Sequence, residues 1–176
     1  MPQAANPKSE LEKVAAIVND AGGKVVGRTR LQKIAYLLEL AGVGGGFAFE
    51  YRHYGPYSED LANSTKIANM FGVLKEKERP TSWGGVYSIF TVTENKFSSG
   101  NEARCALARL AAAADAVELE LAATAAFLAS KGEDDPWLET KARKPEKADD
   151  GRLEKAKRLY KKLSDIKTPV SLPKIS

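Results

Sequence analysis

A hairpin signal between residues 73 and 92 restricts the fold most, because it places two strands directly after a series of helical segments. Residues 86–92 are the clearest strand of the chain, and the turn-forming residues 80–85 separate them from a charged, strand-like stretch. The pattern predicts a small antiparallel hairpin with Trp83 near its tip. The indole is either an exposed interface anchor or folded back on the hairpin.

Three helical segments precede this hairpin, each with its own start signal. Two begin with capping boxes, one from Ser9 to Glu12 and one from Thr29 to Gln32. The third follows Ser58, a favourable N-cap. Its apolar positions, which we expect to face the core, are Leu61, Ile67, Ala68 and Phe71.

A short strand separates the second and third helices. Large apolar residues at 47, 49 and 51 alternate with Ala48, Glu50 and Arg52, after a glycine-rich loop at 44–46, and Gly55-Pro56 is expected to break the strand. The order helix, helix, strand, helix, hairpin is typical of a winged-helix-turn-helix unit.

The second half of the chain is predicted to be helical. Residues 103–129 contain 13 alanines in 27 positions, and Asp115 with Glu118 divides this stretch into two helices. Asp135-Pro136 begins a short helix, and an amphipathic helix runs from Leu153 to Leu163.

These segments predict one compact α+β domain with a winged-helix-like core. We expect a disordered segment at 1–8, the domain at 9–164 and a tail at 165–176. Within the domain, residues 9–96 form the winged-helix-like core with its wing hairpin, and residues 97–164 form the C-terminal helices.

Composition narrows the chemistry. The chain has one cysteine and one histidine. Cys105 therefore cannot form an internal disulfide, and a single histidine, His53, is too few for most zinc sites and histidine-based hydrolase sites. Cys105, among alanines, is predicted to be a small core residue. No apolar run is long enough to span a membrane, and no secretory signal pattern is present. We therefore expect a cytoplasmic protein with no cofactor or metal.

Several segments resemble the YwgA-like proteins, which look related to the Panacea group that includes SocA-type antitoxins. The similar segments are 28–38 (RTRLQKIAYLL), 51–58 (YRHYGPYS), 119–128 (LELAATAAFL), 137–147 (WLETKARKPEK) and 152–163. With the intervening residues, the resemblance covers roughly 9–164. It implies a winged-helix-like α+β fold with no known catalytic centre. For the Panacea relatives it implies binding of a toxin or another protein, in toxin–antitoxin or phage-defence systems.

The YRHYGPYS segment has two interpretations. Its tyrosines either pack on the helices with His53 hydrogen-bonded locally, or they form a binding surface with the basic residues. The candidate partner-binding residues are Arg52, His53, Tyr54, Tyr57 and Trp83.

Nucleic-acid binding is the alternative function. The helix after Ser58 would be the recognition helix, but it begins with Glu59-Asp60 and carries only Lys66 as a cation, which disfavours contact with phosphates. Residues 134–176 carry 12 basic and 8 acidic residues, a balance of +4 that equals the whole net charge. The basic candidates, which are either solvated faces or a strip for phosphate or an acidic partner, are Lys24, Arg28, Arg30, Lys33, Lys141, Arg143, Lys144 and Lys147.

The sequence thus favours a non-catalytic module that binds a protein partner, antitoxin- or adaptor-like. The alternative is a winged-helix transcriptional regulator that binds nucleic acid and dimerises through its C-terminal helices. An enzyme centred on His53 ranks last, because the sequence places no acid partner or nucleophile beside it.

Overall fold

The computed structural model describes residues 7–93 and 95–176, and these combine helices with two small antiparallel sheets. The α+β class is therefore confirmed. The N-terminal elements are α1 (Pro7–Asp20), β1 (Lys24–Val26), α2 (Arg28–Leu40), β2 (Glu50–Arg52), β3 (Gly55–Tyr57), α3 (Glu59–Met70), β4 (Lys75–Pro80) and β5 (Val86–Thr91). A 3-10 turn (Asn95–Phe97) leads to α4 (Glu102–Ala113), α5 (Ala116–Ser130), α6 (Pro136–Arg143), α7 (Pro145–Ala148) and α8 (Arg152–Ser164).

The larger sheet has the strand order β1-β5-β4, with both neighbouring pairs antiparallel. The predicted hairpin is confirmed as β4 and β5, whereas β1, a strand of three residues, was not predicted. Val25 of β1 lies opposite Phe90 of β5, and both side chains are buried. This face of the sheet therefore covers the core, and the opposite face is turned away from it.

Helix α5 lies at the centre of the molecule. Its ten consecutive residues from 119 to 128 are all buried, and apart from Glu120 and Thr124 they are apolar. It packs against α2, α6, α8 and β3, and its alanines allow these neighbours to approach closely. One apolar cluster accordingly includes residues from both halves of the chain.

Several predicted helix starts are confirmed. The Ser58 hydroxyl accepts a hydrogen bond from the Leu61 amide, and the carboxylates of Asp115 and Asp135 cap α5 and α6 in the same way. Two capping boxes were wrong. Helix α2 begins at Arg28 after Gly27, so Thr29 is inside it, and α1 begins at Pro7, before Ser9. Residues 1–6 of the segment predicted to be disordered lie outside the described residues.

The strand predicted at 47–52 is shorter and has a partner that was not predicted. Only Glu50–Arg52 is extended, and Gly55–Tyr57 continues as its antiparallel partner instead of breaking the strand. Gly55 has a φ of +93°, a conformation that glycine adopts readily, and this lets the chain reverse at His53 and Tyr54.

Helix α3 faces the core with only one side. Leu61, Thr65 and Ala68 are buried, but Ile67 and Phe71, which were expected in the core, are exposed. The helical period places these two residues on the flank that α1 does not cover.

Residues 165–176, predicted to be a tail, pack against the helices. The Val170 amide donates to the Ala41 carbonyl at the end of α2, and the Tyr160 hydroxyl of α8 donates to the Pro173 carbonyl. Leu172 is buried between them in the apolar cluster. Among the described helices, none combines the length and apolar character that a membrane crossing requires.

Candidate functional site

Helices α2 and α5 and the segment that follows α6 meet at the β2–β3 hairpin. From α2, the Gln32 side chain accepts from the Ser58 amide at 2.8 Å and donates to the Ser58 carbonyl at 2.9 Å. The neighbouring Lys33 ammonium donates to the Pro56 carbonyl at 2.7 Å. Helix α2 therefore fixes the backbone of the hairpin and the start of α3.

Lys33 is an unusual core residue because only 1% of its surface is exposed. Burial lowers the pKa of Lys33 to about 7. The Glu120 carboxylate opposes this shift, whereas the ammonium groups of Lys144 and Lys147 add to it. Since the Lys33 ammonium is enclosed and bonded to Pro56, its contact with the hairpin is structural.

Lys144 makes a second contact with the hairpin, and Glu120 holds this lysine in place. This buried carboxylate on α5 accepts from the Lys144 ammonium at 2.8 Å and from the Lys147 ammonium with both oxygens, at 2.8 and 2.7 Å. Lys144 also donates to the His53 carbonyl at 3.2 Å. We call Gln32, Lys33, Glu120, Lys144 and Lys147 the anchor network.

Gly55 allows the hairpin to sit directly on α5. A Cβ atom at this position would lie 2.7 Å from the Thr124 hydroxyl oxygen. That hydroxyl is buried and has no hydrogen-bond partner among the described residues, so it is a packing contact at the base of the turn. Only glycine combines this close approach with the observed φ.

Three exposed residues, Arg52, His53 and Tyr54, form what we call the turn surface. The imidazole and phenol rings are T-shaped with centroids 4.9 Å apart, and 53% of Tyr54 is exposed. The Lys147 ammonium lies 4.8 Å from the centroid of the Tyr54 ring. An aromatic and basic surface thus stands directly above the anchor network.

The other tyrosines of this segment pack partly against the protein. Tyr57 is half-buried beneath the Arg52 guanidinium, which is 4.6 Å from its ring centroid. Tyr51 is half-buried between Phe127 and the Arg143 guanidinium. Tyr51 and Tyr57 therefore pack against the protein, as one interpretation predicted, whereas Tyr54 is exposed.

The cations of this region are paired with carboxylates of the same chain. Arg52 contacts Glu50 at 2.5 Å and Glu59 at 2.9 Å. Arg143 contacts Glu139 at 2.7 Å, and Lys147 is held by Glu120. The turn surface is consequently aromatic with its positive charge largely neutralised.

The structure corrects the grouping of the basic candidates. Lys33 and Lys144 are buried, so neither contributes to a surface strip. Arg28 pairs with Glu76 and Glu78, and Arg30 donates to the carbonyls of Val26, Ala112 and Ala114. Lys24 and Lys141 are exposed.

Two further candidates lie away from the hairpin. Trp83 is 83% exposed at the tip of the β4–β5 hairpin, in the other sheet. Cys105, expected in the core, is half-buried, and its thiol donates to Asp20 at 3.4 Å. Burial and the Asp20 carboxylate raise the pKa of this thiol, which disfavours a reactive thiolate.

Sequence reasoning missed Gln32, Glu120 and Thr124. Glu120 and Thr124 are polar residues inside an otherwise apolar stretch of helix, and this pattern could have indicated buried polar groups. Gln32 stands between Leu31 and Lys33 and gives no such signal. Over the described residues, no group of three or more histidine, cysteine or carboxylate side chains could hold a metal ion.

The buried ammonium of Lys33 gives a pH-dependent stability that can be measured. Its pKa is about 7 when folded and near 10.5 when unfolded, so between these values the unfolded chain binds more protons. The free energy of unfolding therefore increases through Lys33 as pH rises from about 7 to 10. Below about pH 7 the contribution of Lys33 no longer changes with pH. We expect the wild type to gain about 1 kcal/mol per pH unit relative to Lys33→Met in this window.

Urea unfolding at several pH values measures this difference. Lys141→Met, at an exposed position, is the matched control and should follow the wild-type curve. Parallel curves for the wild type and Lys33→Met would contradict the assignment.

Comparison of the chain with protein-family models, with curated proteins and with solved structures finds no match to any of them.

Proposed function

We propose that this chain is a non-catalytic protein-binding module, antitoxin- or adaptor-like, that acts in the reducing cytoplasm and contacts its partner with the turn surface. The observation that carries the proposal is the exposed Arg52-His53-Tyr54 turn held from beneath by buried charged groups. Tyrosine and arginine are the residue types that dominate binding energy at protein interfaces.

The anchor network favours binding because it fixes the turn before a partner arrives. The Lys33 and Lys144 ammonium groups each bond a backbone carbonyl of the hairpin, at Pro56 and His53. A loop that is already ordered loses less conformational entropy on association. Burying charged groups costs desolvation free energy. A turn that contacts only water would gain nothing from being held at this cost.

The pairing of charges favours a protein over a nucleic acid at this surface. Arg52, Arg143 and Lys147 each have a carboxylate of the chain within 3 Å, which a phosphate would have to displace. The exposed ring of Tyr54 instead offers apolar area with a hydrogen-bonding hydroxyl, which suits a protein interface.

We further propose that residues 7–93 form a winged-helix-like core. The order α1, β1, α2, α3, β4, β5, with the β2–β3 hairpin inserted between α2 and α3, and the sheet order β1-β5-β4 support this interpretation. In such a core α3 would be the recognition helix. Its exposed side carries Ile67, Met70 and Phe71, so it is better suited to apolar contact than to phosphates.

Capture of a partner from the native lysate tests the proposal with matched tyrosine variants. Tagged wild-type chain should retain a stoichiometric second protein, and Tyr54→Ala should weaken its binding about 30-fold. Tyr87→Ala, an exposed tyrosine on the other sheet, should retain the partner at the wild-type level. Purification of the wild type without a partner, or equal capture by both variants, would refute the role of the turn surface.

A further inference from the structure

The β1-β5-β4 sheet has an exposed face that the proposed partner surface does not use. Directly opposite residues in antiparallel strands point to the same side, and Val25 with Phe90 defines the buried side. Lys77, Ile89 and Val26 are opposite one another and therefore lie on the other side, which we call the outer sheet face.

Charge in β4 is separated by the alternation of its residues. The sequence KEKER places Lys75, Lys77 and Arg79 on the outer sheet face, while Glu76 and Glu78 lie on the inner one. The inner glutamates are already satisfied, because both pair with Arg28 and Glu76 also accepts from the Ser88 hydroxyl. No carboxylate of these three strands therefore lies on the outer sheet face.

The cations of the outer sheet face are unpaired. Lys24 of β1 lies across β5 from Lys75, because both residues are opposite Thr91. All four cations, Lys24 included, are exposed, and none forms an ion pair within the described part of the chain. This contrasts with the turn surface and the residues beside it, where Arg52, Arg143 and Lys147 each have a carboxylate partner.

An apolar strip lies beside this line of cations. Tyr87 is opposite Arg79, and Ile89 is opposite both Lys77 and Val26, so the strip follows β5. Tyr87 is 40% exposed, and Trp83 stands at the end of the same hairpin. Neighbouring strands are about 5 Å apart, which places aromatic rings and cations within reach of one short ligand.

We propose that the outer sheet face binds single-stranded nucleic acid. The β4 cations contact successive phosphates, and unpaired bases stack on Tyr87 and Trp83. A ladder of cations beside exposed aromatic rings is the pattern by which sheets hold single strands, because every base has a face that can stack. A duplex keeps its base faces internally stacked and could use only the cations.

Fluorescence anisotropy with a labelled oligothymidylate of about 15 nucleotides and the full chain tests this inference. The wild type should bind at about 50 mM salt and weaken steeply by about 200 mM. Replacing Lys75, Lys77 and Arg79 together by alanine should reduce the slope of log K against log salt by about 2. Replacing Lys155, Lys161 and Lys162 on α8, an equal change in charge at exposed positions, should leave that slope unchanged.

The aromatic contribution is tested separately. Tyr87→Ala should weaken binding of the oligonucleotide by about 5- to 150-fold, and Tyr87→Phe should retain it, because the ring rather than the hydroxyl stacks. Tyr54→Ala should bind the oligonucleotide like the wild type. The proposal of nucleic-acid binding and the proposal of a protein partner can therefore be refuted separately.

Four results would overturn the inference. They are no binding at low salt, an equal loss in the two triple variants, tighter binding of a duplex of the same length, and equal competition by polyglutamate. The last would show a surface for acidic proteins instead of nucleic acid.

Discussion

Gly55→Ala should lower the free energy of unfolding by about 3 kcal/mol. The positive φ of Gly55 is strained for any residue with a Cβ atom, by about 1–2 kcal/mol. The new methyl group would also lie 2.7 Å from the Thr124 hydroxyl oxygen, and overpacking of this kind costs about 1–3 kcal/mol. Chemical denaturation of the variant and the wild type measures the sum.

Gly84→Ala is the matched control. Gly84 has the same φ of +93°, but a methyl group added there would have no atom within 4 Å, so only the backbone strain should remain. The double variant Gly55→Ala/Thr124→Ala should recover the steric part and not the strain. Equal effects at Gly55 and Gly84 would show that the contact with α5 does not determine the position of the turn.

Glu120→Gln should lower the free energy of unfolding by about 3–5 kcal/mol. The variant leaves the buried Lys144 ammonium without its carboxylate, and an uncompensated buried charge is among the most destabilising changes in a core. Glu133→Gln removes the same charge from an exposed position after α5 and should change stability by less than about 0.5 kcal/mol.

A double-mutant cycle separates the charge effect from a packing effect. Adding Lys144→Met to Glu120→Gln removes the stranded charge, so the double variant should be more stable than Glu120→Gln alone. Additive losses would instead mean that the two side chains act independently, which would contradict the anchor network.

The sequence predicted those features that a few neighbouring residues decide. The N-caps at Ser58, Asp115 and Asp135 and the β4–β5 hairpin depend on contacts over two to 16 positions. Strand β1 was missed because its three residues are extended only by pairing with β5, which lies more than 60 positions away. The pattern of a few neighbouring residues does not identify a partner strand so far along the chain.

The sequence predicted which segment carries the candidate site, but not the buried contacts that hold this segment in place. The exposed Arg52, His53 and Tyr54 belong to the segment that sequence reasoning selected. The burial of Lys33 and Lys144 was not foreseen, because a lysine is normally a surface residue. The partners of these two, the Pro56 carbonyl and Glu120, lie 23 and 24 positions away along the chain. Ile67 and Phe71 were misplaced for the converse reason, since periodicity does not show which flank of α3 lacks a neighbour.

The central position of α5 has a consequence for how the chain is made. Helix α2 is completed at Leu40, but α5, against which it packs, ends only at Ser130. At a synthesis rate of about 5–20 residues per second, roughly 5–20 s pass between the completion of α2 and the completion of α5. During this time α5 does not cover the apolar side of α2. The N-terminal half therefore exposes apolar surface while the chain is being made, and the final tertiary structure forms only when the second half has emerged.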